Sequence, residues 1–478
     1  MENTNSKSIS DRAAKRDFSA VRAVAGDEVT EALKRIYNYI DGSALTDWLA
    51  SLWEPSICTC GKCDKESGEI TCFGGAFYYA DSARDNDGFL PDVESTMQGL
   101  GRLTTHGAFA NYGNDYAAAL PTEIRDRIVR FVKSLQDEES GYFYHPQWGS
   151  AIGPSRRGRD LGWSLSLLEG FGEKPDYPTA LERLANSEKS EKNATRLPSS
   201  AKNEPKPLPE VPGRFEDSLD SEESYLNWLH YNTQNIKVNT QGAHMLSCVR
   251  SQVKAAGYLD ITIDYLDQKL RENYEEMKAA HEADPANNPP PTGLWQKNID
   301  YYAVWGLLKL YGYYNASGRP LPYPVEAMRT CVAAVMIDPD EGGNYHMNDI
   351  FNMWGAAQRL INNVRTHNPE LLPTLYEIAR ENAPVMIDQT IRKLAKFKQA
   401  DETYGYCMGY SSPKTQGVPV SLGLPEGDVN AVALAMDTYT FIYQVLGISS
   451  VEVTLCTPED GERFIKTIME KTVKKADA

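Results

Sequence analysis

The chain of 478 residues has no run approaching the roughly 18 apolar residues of a membrane-spanning helix, so none is expected. It is short of positive charge: 49 Lys and Arg stand against 66 Asp and Glu, a net charge of −17. Nucleic acid and anionic membrane surfaces both call for a cationic face, so neither is expected as a partner. Cysteine is sparse as well. Eight thiols in a chain this long do not form a disulfide scaffold, and Cys248, Cys331, Cys407 and Cys456 read as scattered, buried, reduced thiols. Met1 to Asp17 lack the apolar core of a secretory leader, which points to a cytoplasmic location. There is no Walker loop, no Gly-x-Gly-x-x-Gly after a strand, no His-Glu-x-x-His and no Gly-x-Ser-x-Gly.

What is present is globular. Hydrophobic residues make up 41% and charged residues 24%, enough for a sizeable core. Tyr (27) outnumbers Phe (13) two to one, and there are 8 Trp. Tyr and Trp join a flat apolar face to a polar handle, a pairing that suits sugar-binding clefts and also the wet ends of helices.

An internal repeat organises the chain. A Gly-aromatic segment leads each time into a helix rich in small and apolar residues. Gly74-Gly75-Ala76-Phe77-Tyr78-Tyr79 precedes a helix starting near Asp92, and Ser140-Gly141-Tyr142-Phe143-Tyr144 precedes one near Asp160. Thr292-Gly293-Leu294-Trp295 leads to Asp300, Gly342-Gly343-Asn344-Tyr345 to Asp349, and Tyr404-Gly405-Tyr406 to Asp428. A sixth, weaker unit starts near Asn239 without the Gly-aromatic lead. More polar helices lie between these starts. In Glu123 to Leu135 the apolar residues at 124, 128, 131, 132 and 135 follow the helical period, with charges opposite.

Six such hairpins with the less polar helices inside describe an all-α (α/α)6 toroid whose inner-helix N-termini gather at one mouth. Gly99, Gly162, Gly306, Gly355, Ala431 and Ala433 are expected to let the inner helices pack closely, since Gly in a helix interior costs roughly 1 kcal/mol relative to Ala. Residues 1–20 read as a flexible arm and 21–478 as a single domain, carrying a Cys-rich loop at 55–75 and a polar, Pro-containing insertion at 186–222.

The stretch Ser134-Leu135-Gln136-Asp137-Glu138-Glu139-Ser140-Gly141-Tyr142-Phe143-Tyr144 resembles the repeat unit of terpenoid cyclases and protein prenyltransferases. Arg157-Gly158-Arg159-Asp160-Leu161-Gly162-Trp163, with Glu169 beyond it, resembles a helix start of six-hairpin glycosidases and unsaturated-glucuronyl hydrolases. Both groups belong to the α/α-toroid superfamily, and the resemblance implies that architecture for most of residues 70 to 447. The chain lacks the Asp-x-Asp-Asp and Asp-Asp-x-x-Asp motifs of the cyclases and has no match to the prenyltransferase zinc ligands, with Cys331 and Cys407 outside inner-helix starts.

Asp stands at the expected first position of five inner helices: Asp349, Asp160, Asp92, Asp428 and Asp300. Such a ring could supply the two facing carboxyl groups of a glycosidase, about 6.5–9.5 Å apart in inverting enzymes. Asp is equally a favoured helix N-cap, worth about 1 kcal/mol. Asp349 and Asp160 are the first candidates, one beside His346, the other preceded by Arg156, Arg157 and Arg159. Glu94 lies beside Asp92, and Glu426 beside Asp428. Tyr79, Tyr144, Trp148 and Trp295 are expected at the mouth, where they could stack on sugars. Trp163, Trp305 and Trp354 lie inside helices and either line the cavity or pack the core. Arg84 beside Asp85 could grip an anionic group. His145 or His346 could act as the base of a lyase.

Cys58, Cys60, Cys63 and Cys72 are a separate signal, four thiols suited to a structural zinc and not to a catalytic one. No catalytic cofactor is expected. The leading expectation is a carbohydrate-active enzyme, a glycoside hydrolase on a short saccharide. A terpenoid-cyclase or prenyltransferase-like enzyme, a uronate lyase and a non-catalytic glycan- or protein-binding toroid stand beside it.

Overall fold

The computed structural model describes residues 11–55, 74–186, 215–233, 241–340 and 346–476. It is all-α, 64% helix and 4% strand. Among the described residues, fourteen helices have ten residues or more. They are α1 (Ser19–Tyr39), α2 (Gly42–Ser51), α3 (Val93–Thr105), α4 (Thr122–Ser134), α5 (Pro154–Gly170), α6 (Glu222–Thr233), α7 (Gln241–Ala255), α8 (Leu259–Ala283), α9 (Tyr301–Ser317), α10 (Pro324–Met336), α11 (Met347–His367), α12 (Ala383–Leu394), α13 (Val429–Val445) and α14 (Pro458–Ala476). No helix among the described residues is long and apolar enough to cross a membrane.

The odd-numbered helices from α3 to α13 pack on one another in chain order, and α13 packs back on α3. The contacts therefore form a closed cycle of six. The partners outside this cycle are amphipathic: α4 buries Ile124, Ile128, Phe131 and Val132 and exposes its charges, as the period predicts. α13 is buried along nearly its whole length, because helices press on it from several sides. At Gly355 on α11, an added Cβ would lie 3.0 Å from both Leu308 of α9 and Phe441 of α13, so this glycine does allow close packing. Gly162 and Gly306 do not. A Cβ at either would meet nothing within 4 Å, so they border open space.

The Gly-aromatic segments ending at Tyr79 and Tyr406 run across the N-terminal ends of these helices. A two-stranded sheet pairs β1 (Trp53–Glu54) with β2 (Ala76–Phe77), and Phe77 then bridges to Asp92 at the start of α3. Val429 N–H donates to the Tyr79 carbonyl and Asp428 N–H to that of Tyr404, and Met347 N–H donates to Tyr406. Each segment thus satisfies N–H groups that a helix start leaves unpaired. A hairpin of β3 (Lys414–Thr415) and β4 (Val418–Pro419) rises from the long connection between α12 and α13.

The expected flexible arm is docked from residue 11 onward. Arg12 donates to the carbonyls of Tyr37, Ile40 and Leu455, and Ala13 and Phe18 are buried in the core. Residues 1–10 lie outside the described residues, as do 187–214 of the polar insertion. The end of that insertion is helical, with Phe215 buried.

Candidate active site

Four of the five ring aspartates accept backbone N–H groups at a helix start, as caps do. Asp92 takes Ser95 N at 2.8 Å and Ser95 Oγ at 2.8 Å, one on each carboxylate oxygen. Asp428 takes Ala431 N at 2.8 Å on one oxygen, and Tyr406 N at 2.7 Å and Ser412 N at 3.2 Å on the other. Asp300 takes Ala303 N at 3.0 Å and joins none of the hydrogen bonds that link the other helix starts among the described residues. Asp349 is not the first residue of its helix: His346 occupies the N-cap, and Asp349, in the first turn, accepts His346 N at 2.6 Å.

Asp160 departs furthest from expectation. α5 begins at Pro154, because proline's fixed φ and missing N–H suit the first helical position, so Asp160 lies in the second turn. There it pairs with Arg156, whose Nε donates to Oδ2 at 3.0 Å and whose other nitrogen lies 2.6 Å from Oδ1. Arg156 is 0% exposed. It also donates to Glu94 at 2.6 Å and to Thr415 Oγ1 at 2.9 Å, and its guanidinium lies 4.5 Å from the Trp148 ring centre. Arg159 holds the other Glu94 oxygen.

Three buried carboxyls (Asp92, Glu94, Asp160) therefore share two guanidinium groups. Burial opposes an unmatched third negative charge. It pushes Asp92 and Asp160 up to about 6 despite Arg156. Burial acts on Glu94 too, but Arg159 and Arg156 outweigh it and hold Glu94 below the usual range. Asp428 is raised to about 6 by burial, tempered by its backbone donors.

Among the described residues no cation pairs with Asp349. Burial raises it to about 7, against the one backbone hydrogen bond from His346. Its Oδ1 has no hydrogen-bond partner among the described residues. Tyr406 links it to Asp428: the Tyr406 ring stacks on His346 with centres 5.3 Å apart, its carbonyl accepts Met347 N, and its N–H donates to Asp428. Three residues beyond Asp349, Asn352 is fully buried, and neither polar atom of its amide has a hydrogen-bond partner among the described residues. The buried Tyr79 hydroxyl faces Asp428, and burial followed by the charges of Asp428 and Glu94 raises its pKa.

The rim aromatics divide. Tyr79, Tyr144 and Trp148 do gather at this end, packed with Ile152 and with Val418 and Val420 around β4. Trp148 Nε1 donates to the Pro419 carbonyl at 3.0 Å. Trp163 and Trp305 are half-buried on two helices of the cycle, with Trp305 6.4 Å from His244. Trp295 and Trp354 are core residues instead, fully enclosed because each indole N–H finds an internal acceptor, the Leu266 carbonyl and Thr390 Oγ1.

Arg84 is taken up by Asp81 and Asp85 at 2.7 Å each, which leaves it no free face for an anion. Glu426 is a clamp: it accepts Ser82 N at 2.7 Å, Ser82 Oγ at 2.5 Å and Ser411 Oγ at 2.9 Å. His145 is buried against the Pro91 carbonyl at 3.0 Å, and burial lowers it to about 3, so it stays neutral. Cys58, Cys60, Cys63 and Cys72 lie outside the described residues, as does Tyr345.

Two contributors were missed in the sequence. Thr415 and Tyr406 sit in the long connection before α13, and only folding brings them to Arg156 and Asp349. His244 and Cys248, four apart on α7, had a legible spacing but no visible surroundings. No protein-family model, curated protein or solved structure matches the chain.

Proposed function

We propose that the closed cycle of six helices is the inner ring of an (α/α)6 toroid. We further propose that the chain is a glycoside hydrolase on a short saccharide, with Asp349 as the proton donor. The observation that carries this is the state of Asp349: buried, raised to about 7, and, among the described residues, without a paired cation and with one oxygen open. A carboxyl kept protonated near neutral pH is what departure of a glycosidic oxygen requires. Asp92 and Asp428 each have both oxygens hydrogen-bonded at a helix start and Asp160 is paired with Arg156, so these three serve the site by holding its helices in place. Tyr406, His346 and the Tyr79–Tyr144–Trp148 group offer ring faces for a sugar.

The test combines ligand binding with turnover. Neutral and uronate oligosaccharides should raise the melting temperature, and wild-type protein should release reducing ends from those that do. Asp349→Asn should lower kcat by about a hundredfold or more with the fold intact. Full turnover in D349N refutes the assignment, and stabilisation by isoprenoids alone refutes the saccharide reading. The capping geometry favours one second reading, a glycan-binding toroid without catalysis. It predicts saccharide binding in both proteins and turnover in neither.

A further inference from the structure

Helices α5, α7 and α9 surround one thiol with groups of which the candidate acid site uses none but Arg159, the partner of Glu94. Cys248 and His244 lie on one face of α7, since residues four apart on a helix are neighbours. Cys248 Sγ is 3.8 Å from His244 Nε2, and Ser155 Oγ of α5 donates to the sulfur at 3.2 Å. α5 comes this close because Gly158 lies against the Cys248 carbonyl, where a Cβ would collide. His244 Nε2 also meets Gln416 Oε1 at 2.7 Å, and its buried Nδ1 has no partner. Gln416 reaches it from the turn between β3 and β4, where Gln416 (φ 48°) and Gly417 (φ 87°) are both left-handed, as in a tight hairpin turn.

Two cations complete the cluster. Arg159 of α5 acts on the thiol, and Lys309 of α9 feels the thiolate in turn. Lys309 makes no hydrogen bond or ion pair among the described residues, and burial followed by Arg159 lowers it to about 8. Tyr313 of α9 feels the thiolate as well, and its hydroxyl donates to the Leu246 carbonyl at 2.9 Å. Burial alone would push Cys248 up. His244, Arg159 and Ser155 overcome it and draw the thiol down to about 6. Cys331 and Cys456 are fully enclosed and raised by burial, whereas Cys248 is half-buried and open to a reagent.

We propose that Cys248 is a nucleophile for an anionic acyl ester, with His244 as its proton carrier and Lys309 as the subsite for the acyl group's negative charge. The thiol first gives its proton to His244. The thiolate attacks the acyl carbon, a C–S bond forms, the ester C–O bond breaks, and the departing oxygen takes the proton from His244 as an alcohol. Water then cleaves the thioester, releasing a carboxylic acid and restoring the thiol.

The test uses the full chain with 4-nitrophenyl hydrogen succinate, whose acyl group is anionic, and with 4-nitrophenyl acetate, whose acyl group is neutral. The expected result is a burst of nitrophenolate and a hydroxylamine-sensitive acyl adduct mapped to Cys248. After the protein-free rate is subtracted, which for the succinyl ester includes attack by its own carboxylate, the succinyl ester should react about tenfold faster, the preference that a cationic subsite gives an anion. Cys248→Ser should abolish the burst, and Lys309→Met should erase the succinyl preference. If either variant fails to fold, the wild-type rate ratio and adduct map decide alone. Equal rates for the two esters, adducts at cysteines other than Cys248, or no adduct overturns the proposal.

Discussion

Asp349 makes a stability prediction with a definite sign. Its carboxyl is 3% exposed and its pKa rises from 3.8 to about 7, with burial as the cause. The folded protein therefore binds this proton more tightly than the unfolded chain does. Stability from the group is full below about pH 4 and declines as pH rises through about 7. At about 1.4 kcal/mol per pKa unit, three units come to at most about 4 kcal/mol. Asp349→Asn keeps the shape and cannot ionise. In urea denaturation, D349N and wild type should match near pH 4. Between pH 4 and 7 the variant should gain on the wild type, and by pH 8 it should lead by up to that amount. Comparing the two proteins at each pH cancels the contributions of Asp92, Asp160 and Asp428, which both retain. A difference that does not change with pH, or a variant less stable at pH 8, refutes the claim that a buried, unpaired carboxyl occupies this position.

Arg156→Met leaves Glu94 and Asp160 buried with one guanidinium fewer, and should cost about 3–5 kcal/mol at pH 8 in the same assay. A loss under about 1 kcal/mol would mean that the pairing is not what holds α3 to α5. Gly158→Ala drives a Cβ into the Cys248 carbonyl and should destabilise by about 1–3 kcal/mol. Gly306→Ala faces open space and should gain up to about 1 kcal/mol from helix propensity, so equal effects at the two glycines would contradict the packing described.

Most of the helical organisation is written in local pattern. The apolar spacing of α4 and the Asp caps of α3, α9 and α13 are properties of neighbouring residues, and the caps occur at the expected Asp92, Asp300 and Asp428. Asp160 was misplaced because two start signals compete there. Asp marks a cap, but Pro154 after Gly153 starts the helix earlier, and the run from Pro154 to Asp160 contains no breaker but Gly158. Gly162 and Gly306 were misread because sequence cannot say whether a missing side chain makes room for a neighbour or for a cavity. Trp295 and Trp305 look alike in the chain. One finds an internal acceptor for its indole, and the other stands near His244 on a helix of the cycle.

The acids, Arg159, His346 and the Tyr79, Tyr144 and Trp148 rings were named from the sequence, but Tyr406, Thr415 and Gln416 were not singled out, because they come from one connection that carries no helix pattern. Between Leu394 and Asp428 the chain spends far more than the roughly 12–15 residues that mark the upper end of ordinary connections, a length that commonly signals function. That connection sets Tyr406 against His346 beside Asp349, Thr415 against Arg156, and Gln416 against His244. Glu426 fastens it to Ser82 at the segment leading into α3. The helices of the cycle fix where their first turns lie, and this one loop decides which polar groups meet between them. Changes within it should therefore alter the chemistry of the site more than the stability of the helices around it.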